Sequence, residues 1–337
     1  AKRLKDAKQA IKKAKKKGVG SKKLQVLLSQ SKGVFDTKTL LQEKSLILLE
    51  HYQNGRFSDA EKLAILISQE FPNDNFSWKI LGAVFKSTGR NSEAVHANQT
   101  AVALIPDDAE AHYNLGNTLE ELGKLEEAEV GYRQAIALRP DYAEAHNNLG
   151  FMLQGLGRLG EAEASYTQAI ELMPDFAEAY SNLGVTFQGL GRFDDAEASF
   201  THAIALNPDY AEAYRHLAFI KKFDVKDENY LKMQKLYFDK NISEEQLCHI
   251  NFGLAKVCED LGDFEQAFSH YNEGNELRKR LLKYEISQDK DLFRKVKSSY
   301  PQIARNSLEP DKLRNNFIPI FIVGMPRSGT TLVEQII

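Results

Sequence analysis

The sequence has 337 residues, 42% of them hydrophobic and 27% charged, with a net charge of −3. The length suits two domains or one long repeat array, and the composition is that of a chain able to bury a core. No apolar run approaches the ~18 residues of a membrane span, and the lysine-rich start lacks the apolar segment of a signal peptide, so a cytoplasmic protein is expected.

Residues 1–23 hold ten lysines and Arg3 against the single acid Asp6, a net of +10, which leaves −13 for the remainder. A basic arm on an acidic body suits contact with an acidic surface. No aromatic interleaves the lysines to stack on bases, so nucleic acid is not expected as a partner. Residues 1–40 read as a basic leader, partly helical or disordered.

A repeat begins at about residue 41. A glycine, a short polar run and an alanine recur at Gly55 (GRFSDA), Gly89 (GRNSEA), Gly123 (GKLEEA), Gly157 (GRLGEA) and Gly191 (GRFDDA), each 34 residues after the last, and again at Gly262 (GDFEQA). Pro72, Pro106, Pro140, Pro174 and Pro208 keep the same interval. Within residues 109–142, Leu115, Gly116 and Leu119 mark one face of a first helix, and Gly116 lets a neighbouring helix come close. Gly123 sits where glycine accepts the positive φ that ends a helix. Ala128, Tyr132, Ala135 and Ile136 form the apolar stripe of a second helix, which Pro140 stops. Such a pair cannot bury its apolar face alone; stacked pairs make one continuous core.

This pattern resembles the tetratricopeptide-repeat (TPR) family. The resemblance implies an all-α TPR helical solenoid over 41–281. Its repeats fall at 41–74, 75–108, 109–142, 143–176 and 177–210, followed by a degenerate unit over 211–247 and a last one over 248–281. It also implies that the first helix of each pair lines a concave face that takes a protein or peptide. Asn114, Asn148 and Asn182 fall at one equivalent position on those helices. Each amide offers a donor and an acceptor, so the three are candidate peptide-binding residues, similar to the asparagine ladder of O-linked N-acetylglucosamine transferase. The alternative is that asparagine is a common residue on a polar face of such repeats. Ile80 and His216 interrupt the ladder on either side. Glu110, Glu144, Glu178 and Glu212 recur in the first helical turn, where the dipole favours them. His112 and His146 stand where later repeats have Tyr180 and Tyr214 and read as packing residues. Cys248 and Cys258 read as two buried thiols rather than a disulfide or metal pair, and no metal site is evident.

Residues 282–316 read as a helix over 285–300 and a linker containing Pro301, Asn306, Pro310 and Asn315. Then follows FIPIFIVGMPRSGTTLVEQII. Residues 317–323 suit a buried parallel strand, Gly324–Gly329 a loop, and Thr330 onward a helix. Strand, glycine loop and helix N-terminus make an anion site. A nucleoside-triphosphatase loop has lysine after its second glycine; here Thr330 stands there, and Arg327 is the loop's cation.

GMPRSGTT resembles the 5′-phosphosulfate loop of sulfotransferases, in the PRSGTT form of the tyrosylprotein sulfotransferases, and a TPR array upstream resembles a bacterial arrangement of that family. The resemblance implies a start of an α/β P-loop-like sulfotransferase domain (one strand, phosphate loop, part of a helix) at 317–337, truncated at Ile337. It implies 3′-phosphoadenosine 5′-phosphosulfate as co-substrate, without a metal. Arg327, Ser328, Gly329, Thr330 and Thr331 would hold the phosphosulfate. The parent enzyme would move a sulfuryl group to an acceptor hydroxyl, for which a peptide tyrosine suits the resemblance. The chain as it stands is expected to be an inactive fragment, since the family's catalytic acid lies downstream of this loop. Two alternatives stay open: a TPR scaffold without catalysis, and a TPR-linked P-loop kinase.

Overall fold

The computed structural model describes residues 39–306. The basic leader and the strand, loop and helix expected over 317–337 lie outside the described residues. Among the described residues every regular element is an α-helix, and the helices follow one another as antiparallel pairs. The first pair is α1 (residues 39–53) and α2 (Phe57–Glu70). Next come α3 (Asn75–Ser87) and α4 (Asn91–Leu104), then α5 (Ala109–Glu121) and α6 (Leu125–Leu138). The run continues with α7 (Ala143–Gly155) and α8 (Leu159–Leu172), and α9 (Ala177–Gly189) and α10 (Phe193–Leu206). Each of α3 to α10 packs on its neighbours in the chain, within a pair and between pairs.

The repeated sequence signals have repeated physical outcomes. The six turn glycines adopt φ between +68° and +77°, a region an L side chain enters only with strain. The amide that follows reaches back to the carbonyl five residues earlier, as in Arg90 N to Phe85 O at 2.8 Å and Lys124 N to Leu119 O at 2.9 Å. This bond satisfies a carbonyl the helix end would otherwise leave bare. Two first helices carry an aspartate cap: Asp74 accepts from Ser77 N at 2.8 Å, and Asp108 from Glu110 N at 3.0 Å and Ala111 N at 3.3 Å. Asp108 also accepts from Asn75 Nδ2 at 2.7 Å and pairs with Lys79 at 3.1 Å, tying one pair to the next.

The core is built from rings seated on glycines. Tyr132 lies on Gly116, Tyr166 on Gly150 and Phe200 on Gly184, so close that a Cβ on the glycine would come within 2.7–2.9 Å of the ring. All three rings are fully buried. The second pair departs from this: Gly82 faces Asn98 instead of a ring. The buried apolar residues accordingly form separate clusters. One runs from Leu48 to Ala97 and a larger one from Leu119 to Ala267. Asn98 and Thr118, both buried, sit between them and are joined by a 3.0 Å hydrogen bond.

On the second helices an arginine clamp recurs. Arg90, Arg158 and Arg192, each directly after a turn glycine, reach Glu61, Glu129 and Glu163 of the preceding pair at 2.7–2.8 Å. Each also holds the acid three residues on, Glu93, Glu161 or Asp195. Lys124 takes this place in the third pair and reaches Glu127 at 3.5 Å.

Beyond Leu206 the period slips. Helix α11 (Ala211–Ile220) is three residues shorter than the first helices before it, and α12 (Glu228–Tyr237) is equally short. Helix α13 (Glu244–Asp260) starts with a capping box, Ser243 and Gln246, and packs on both α11 and α12. It is followed by α14 (Phe264–Leu281). Cys248 and Cys258 are free and buried; Cys248 Sγ donates to Gly274 O at 3.5 Å. Burial pushes both thiols up from their ordinary range.

Residues from Lys279 form a second unit, in which Tyr284 hydrogen-bonds Asp289 and helix α15 spans Ile286–Asn306. The helix expected over 285–300 therefore runs on through Pro301. A proline removes one amide from the ladder, and Gln302, Ala304 and Arg305 after it are strong helix formers that continue the element.

Candidate functional site

The first helices α3, α5 and α7 enclose a polar groove made of two clefts. One, of about 420 Å³, is lined by residues including Tyr52, Lys86, Asn98, Asn114, Asn117 and Thr118. The other, of about 440 Å³, is lined by Tyr113, Asn117, Glu120, Asn148, Phe151 and Glu178 among others. Lys86, Asn117 and Glu121 belong to both clefts, so the groove is continuous.

The equivalent spacing of Asn114, Asn148 and Asn182 puts them on one side of α5, α7 and α9, and the structure divides their roles. Asn114 lines the first cleft, and its backbone oxygen accepts from Asn98 Nδ2 at 3.2 Å and Thr118 Oγ1 at 2.9 Å. Asn148 lines the second cleft, with Nδ2 at 2.9 Å from both Tyr113 OH and Asn117 Oδ1. Asn182 donates to Asn147 Oδ1 at 3.2 Å. Asn147 in turn reaches Asn148 Oδ1 and Glu178 Oε1, both at 3.3 Å. The Asn148 and Asn182 amides thus form a network with Asn117 and Asn147, while Asn114 joins its neighbours through its backbone oxygen.

The charge in the groove is set locally. Lys86 pairs with Glu121 at 3.1 Å. Glu120 accepts from the Tyr132 hydroxyl, which also reaches Asn117 Oδ1 at 2.8 Å. Burial raises the Glu120 carboxyl above its ordinary range, the Tyr132 hydrogen bond opposing it in part. Burial also pushes the Tyr113 hydroxyl up. With Glu178 the second cleft carries three acids to one lysine.

His112 and His146, read as packing residues, make a polar contact instead. Each ring Nε2 meets the carbonyl of the proline six residues earlier, Pro106 at 2.9 Å and Pro140 at 3.1 Å. Tyr214 makes the same bond to Pro208 at 3.1 Å. A histidine ring N–H and a tyrosine O–H reach the same acceptor, which explains the exchange. Among the described residues no cluster of His, Cys, Asp and Glu could hold a metal ion, and no helix is long and apolar enough to cross a membrane.

Most groove residues escape the spacing argument, Asn98, Asn117 and Lys86 among them. Asn98 had a visible signal. Positions 132, 166 and 200 of the following repeats are Tyr, Tyr and Phe, so an asparagine at 98 is the exception in the series.

Residues 82–123 and 116–157 match the family described as TPR repeat, and residues 141–209 match the tetratricopeptide repeat. The solenoid is a tetratricopeptide-repeat array. Residues 319–337 match the sulfotransferase family. In fold the TPR array is similar to PilW, a type IV pilus biogenesis factor, at 21% identity over 62% of this chain and 96% of that one, with a TM-score of 0.54. It is also similar to a tetratricopeptide-repeat protein from Parabacteroides merdae, at 16% identity over 70% and 93% of the two chains, TM-score 0.53. An uncharacterized protein of Aquifex aeolicus is 32% identical over 122 residues, which are 35% of this chain. The chain spans about 15% of the length of that curated relative. Arg327, Ser328, Gly329, Thr330 and Thr331 lie outside the described residues.

Proposed function

We propose that the TPR groove holds an extended segment of a protein partner, and that the whole protein is a sulfotransferase whose array brings this partner to the transfer site. The observation that carries the first part is the continuous amide-lined groove across α3, α5 and α7. Amides that can donate and accept suit main-chain peptide groups, and the exchange needs no particular side-chain sequence. The second part rests on the sulfotransferase match at 319–337.

The donor set there fits an anionic phosphosulfate. Arg327 would supply a planar cation suited to oxyanions, Ser328, Thr330 and Thr331 would supply hydroxyls, and Gly329 adds no side chain to obstruct them. Residues 324–331 include no carboxylate to repel the anion. When bound, 3′-phosphoadenosine 5′-phosphosulfate would supply the sulfuryl group. This chain's own residues would hold the anion and orient it.

Two binding measurements on the full chain test the reading. Equilibrium dialysis with 3′-phosphoadenosine 5′-phosphate is expected to show metal-independent binding that weakens at least tenfold in Arg327→Ala. Magnesium-dependent binding of ATP in its place would refute the sulfotransferase reading in favour of a kinase. Titration with an extended lysine-containing peptide, followed by amide chemical shifts, is expected to move groove asparagines, with Asn148→Ala weakening it. A titration that leaves Asn114, Asn117 and Asn148 unmoved would refute the peptide reading.

A further inference from the structure

The second repeat lacks a ring that the next three possess. Tyr132, Tyr166 and Phe200 each fill the space over a first-helix glycine. At the equivalent place Asn98 covers Gly82 with a much smaller side chain, and the first cleft opens there. The cleft wall repeats the seat of a ring position by position. Gly82, Ala83 and Lys86 stand 34 residues before Gly116, Asn117 and Glu120, and Asn117 and Glu120 are the two residues that meet the Tyr132 hydroxyl.

Asn98 is itself 1% exposed and only half satisfied. Its Nδ2 is fixed by Asn114 O and Thr118 Oγ1, which also fixes which end of the amide is oxygen. Its Oδ1 lies against Gly82 and receives no hydrogen bond. A buried acceptor without a donor is unfavourable, and a ligand that brings the donor recovers that free energy.

We propose that this cleft is a side-chain pocket for a tyrosine of the bound peptide, whose ring takes the place the second repeat leaves empty and whose hydroxyl donates to Asn98 Oδ1. The inference rests on the peptide-binding reading above and adds what the peptide must contain. An aromatic ring suits a seat shaped for one, and the unpaired oxygen selects a ring that ends in a donor. The acids of the neighbouring cleft, Glu120, Glu121 and Glu178 against Lys86, favour lysine or arginine beside that tyrosine.

Filling the seat from within provides the test. Asn98→Tyr would place a ring beside Thr118 and over Gly82. The protein already has this combination at Tyr166, Gly150 and Thr186, where Tyr166 and Thr186 share Gln154 Oε1 at 3.1 Å each. The full chain is titrated with the peptides acetyl-Lys-Gly-Tyr-Gly-Lys-amide and its Phe and Ala counterparts, by chemical shift or calorimetry. The wild type is expected to bind the Tyr peptide about tenfold more tightly than the Phe peptide and more tightly still than the Ala peptide. Asn98→Tyr is expected to lose at least tenfold for the Tyr peptide while melting no earlier than the wild type. Asn98→Ala keeps the space and removes the acceptor, so it is expected to bind Tyr and Phe peptides equally, and it serves even if Asn98→Tyr misfolds. Equal binding of the Tyr peptide by the wild type and Asn98→Tyr, or a Tyr preference that survives in Asn98→Ala, would overturn the pocket and leave peptide binding intact. Absence of binding by all three peptides, with groove amides unmoved, would overturn both readings.

Discussion

Helix α7 carries two glycines, and replacing each by alanine is expected to change stability in opposite directions. At Gly150 a Cβ would lie 2.8 Å from Tyr166 Cε1 and 2.9 Å from Cδ1. Ordinary carbon contacts lie at about 3.5–4.0 Å, so the ring must retreat by roughly 0.7 Å or more. It has nowhere cheap to go: Tyr166 is fully buried, and its hydroxyl is held by Gln154 Oε1. Overpacking of this kind costs about 1–3 kcal/mol, offset by about 1 kcal/mol from the better helix propensity of alanine. Gly150→Ala should therefore lose about 1 kcal/mol net. At Gly155, exposed and with nothing within 4 Å of an added Cβ, only the propensity gain remains, up to about 1 kcal/mol. Urea unfolding followed by far-ultraviolet circular dichroism gives the two midpoints, at unchanged slope. If Gly150→Ala proves as stable as Gly155→Ala, the rings are not seated as tightly as the distances imply, and the explanation of the repeat's glycine fails.

Asp108 tests the electrostatics. Burial pushes its carboxyl up, but Lys79 and the amides of Ala111 and Glu110 outweigh this and hold it below the ordinary range. A depressed folded-state value means its stabilisation is present above the unfolded pKa, about 3.9, and is lost as pH falls through the folded value. Asp108→Ala should cost about 1–3 kcal/mol at pH 7, from the lost cap and the buried Asn75 amide left without its acceptor, Lys79 keeping Glu110, and the gap to wild type should shrink below pH 4 in thermal melts. The arginine clamps face solvent, so Arg158→Ala should lower the melting temperature only slightly, a difference that fades in 1 M salt; a large salt-independent loss would mean the clamp packs rather than pairs. Cys248 and Cys258 should resist a thiol reagent in the folded protein and react in urea, because burial both hides them and disfavours the thiolate; rapid labelling without denaturant would contradict the packing of α13.

The repeated architecture was legible because period and physics coincide at particular residues. Gly123 and its equivalents announce a positive φ, and Tyr132 with Gly116 announces a close helix approach. The arginine clamps are not legible in the sequence, since an arginine and an acid 29 residues apart look like ordinary surface charge until stacking brings them together. The asparagine ladder shows the other limit. Spacing puts Asn114, Asn148 and Asn182 on equivalent turns, yet it is blind to Asn147 and Asn117, whose side chains decide what the ladder amides are bonded to. Helix α15 running through Pro301 shows a breaker outweighed by its neighbours.

The asparagine at 98 has a consequence for how the array comes apart. Buried apolar contact is what couples one repeat to the next, and between the second and third pairs the buried Asn98 and Thr118 dilute it, leaving the small Ala101, Ala109 and Ala111 and the half-buried Val95 to carry it. Helices α1 to α4 are therefore expected to open as a block of their own, below the free energy of the rest. Hydrogen exchange would show this as two protection levels, with the step between α4 and α5. A guest ring seated in that gap would act as a rivet, raising protection in α1 to α4 by the linkage of binding to folding, so that the N-terminal block is stiffest when the groove is full.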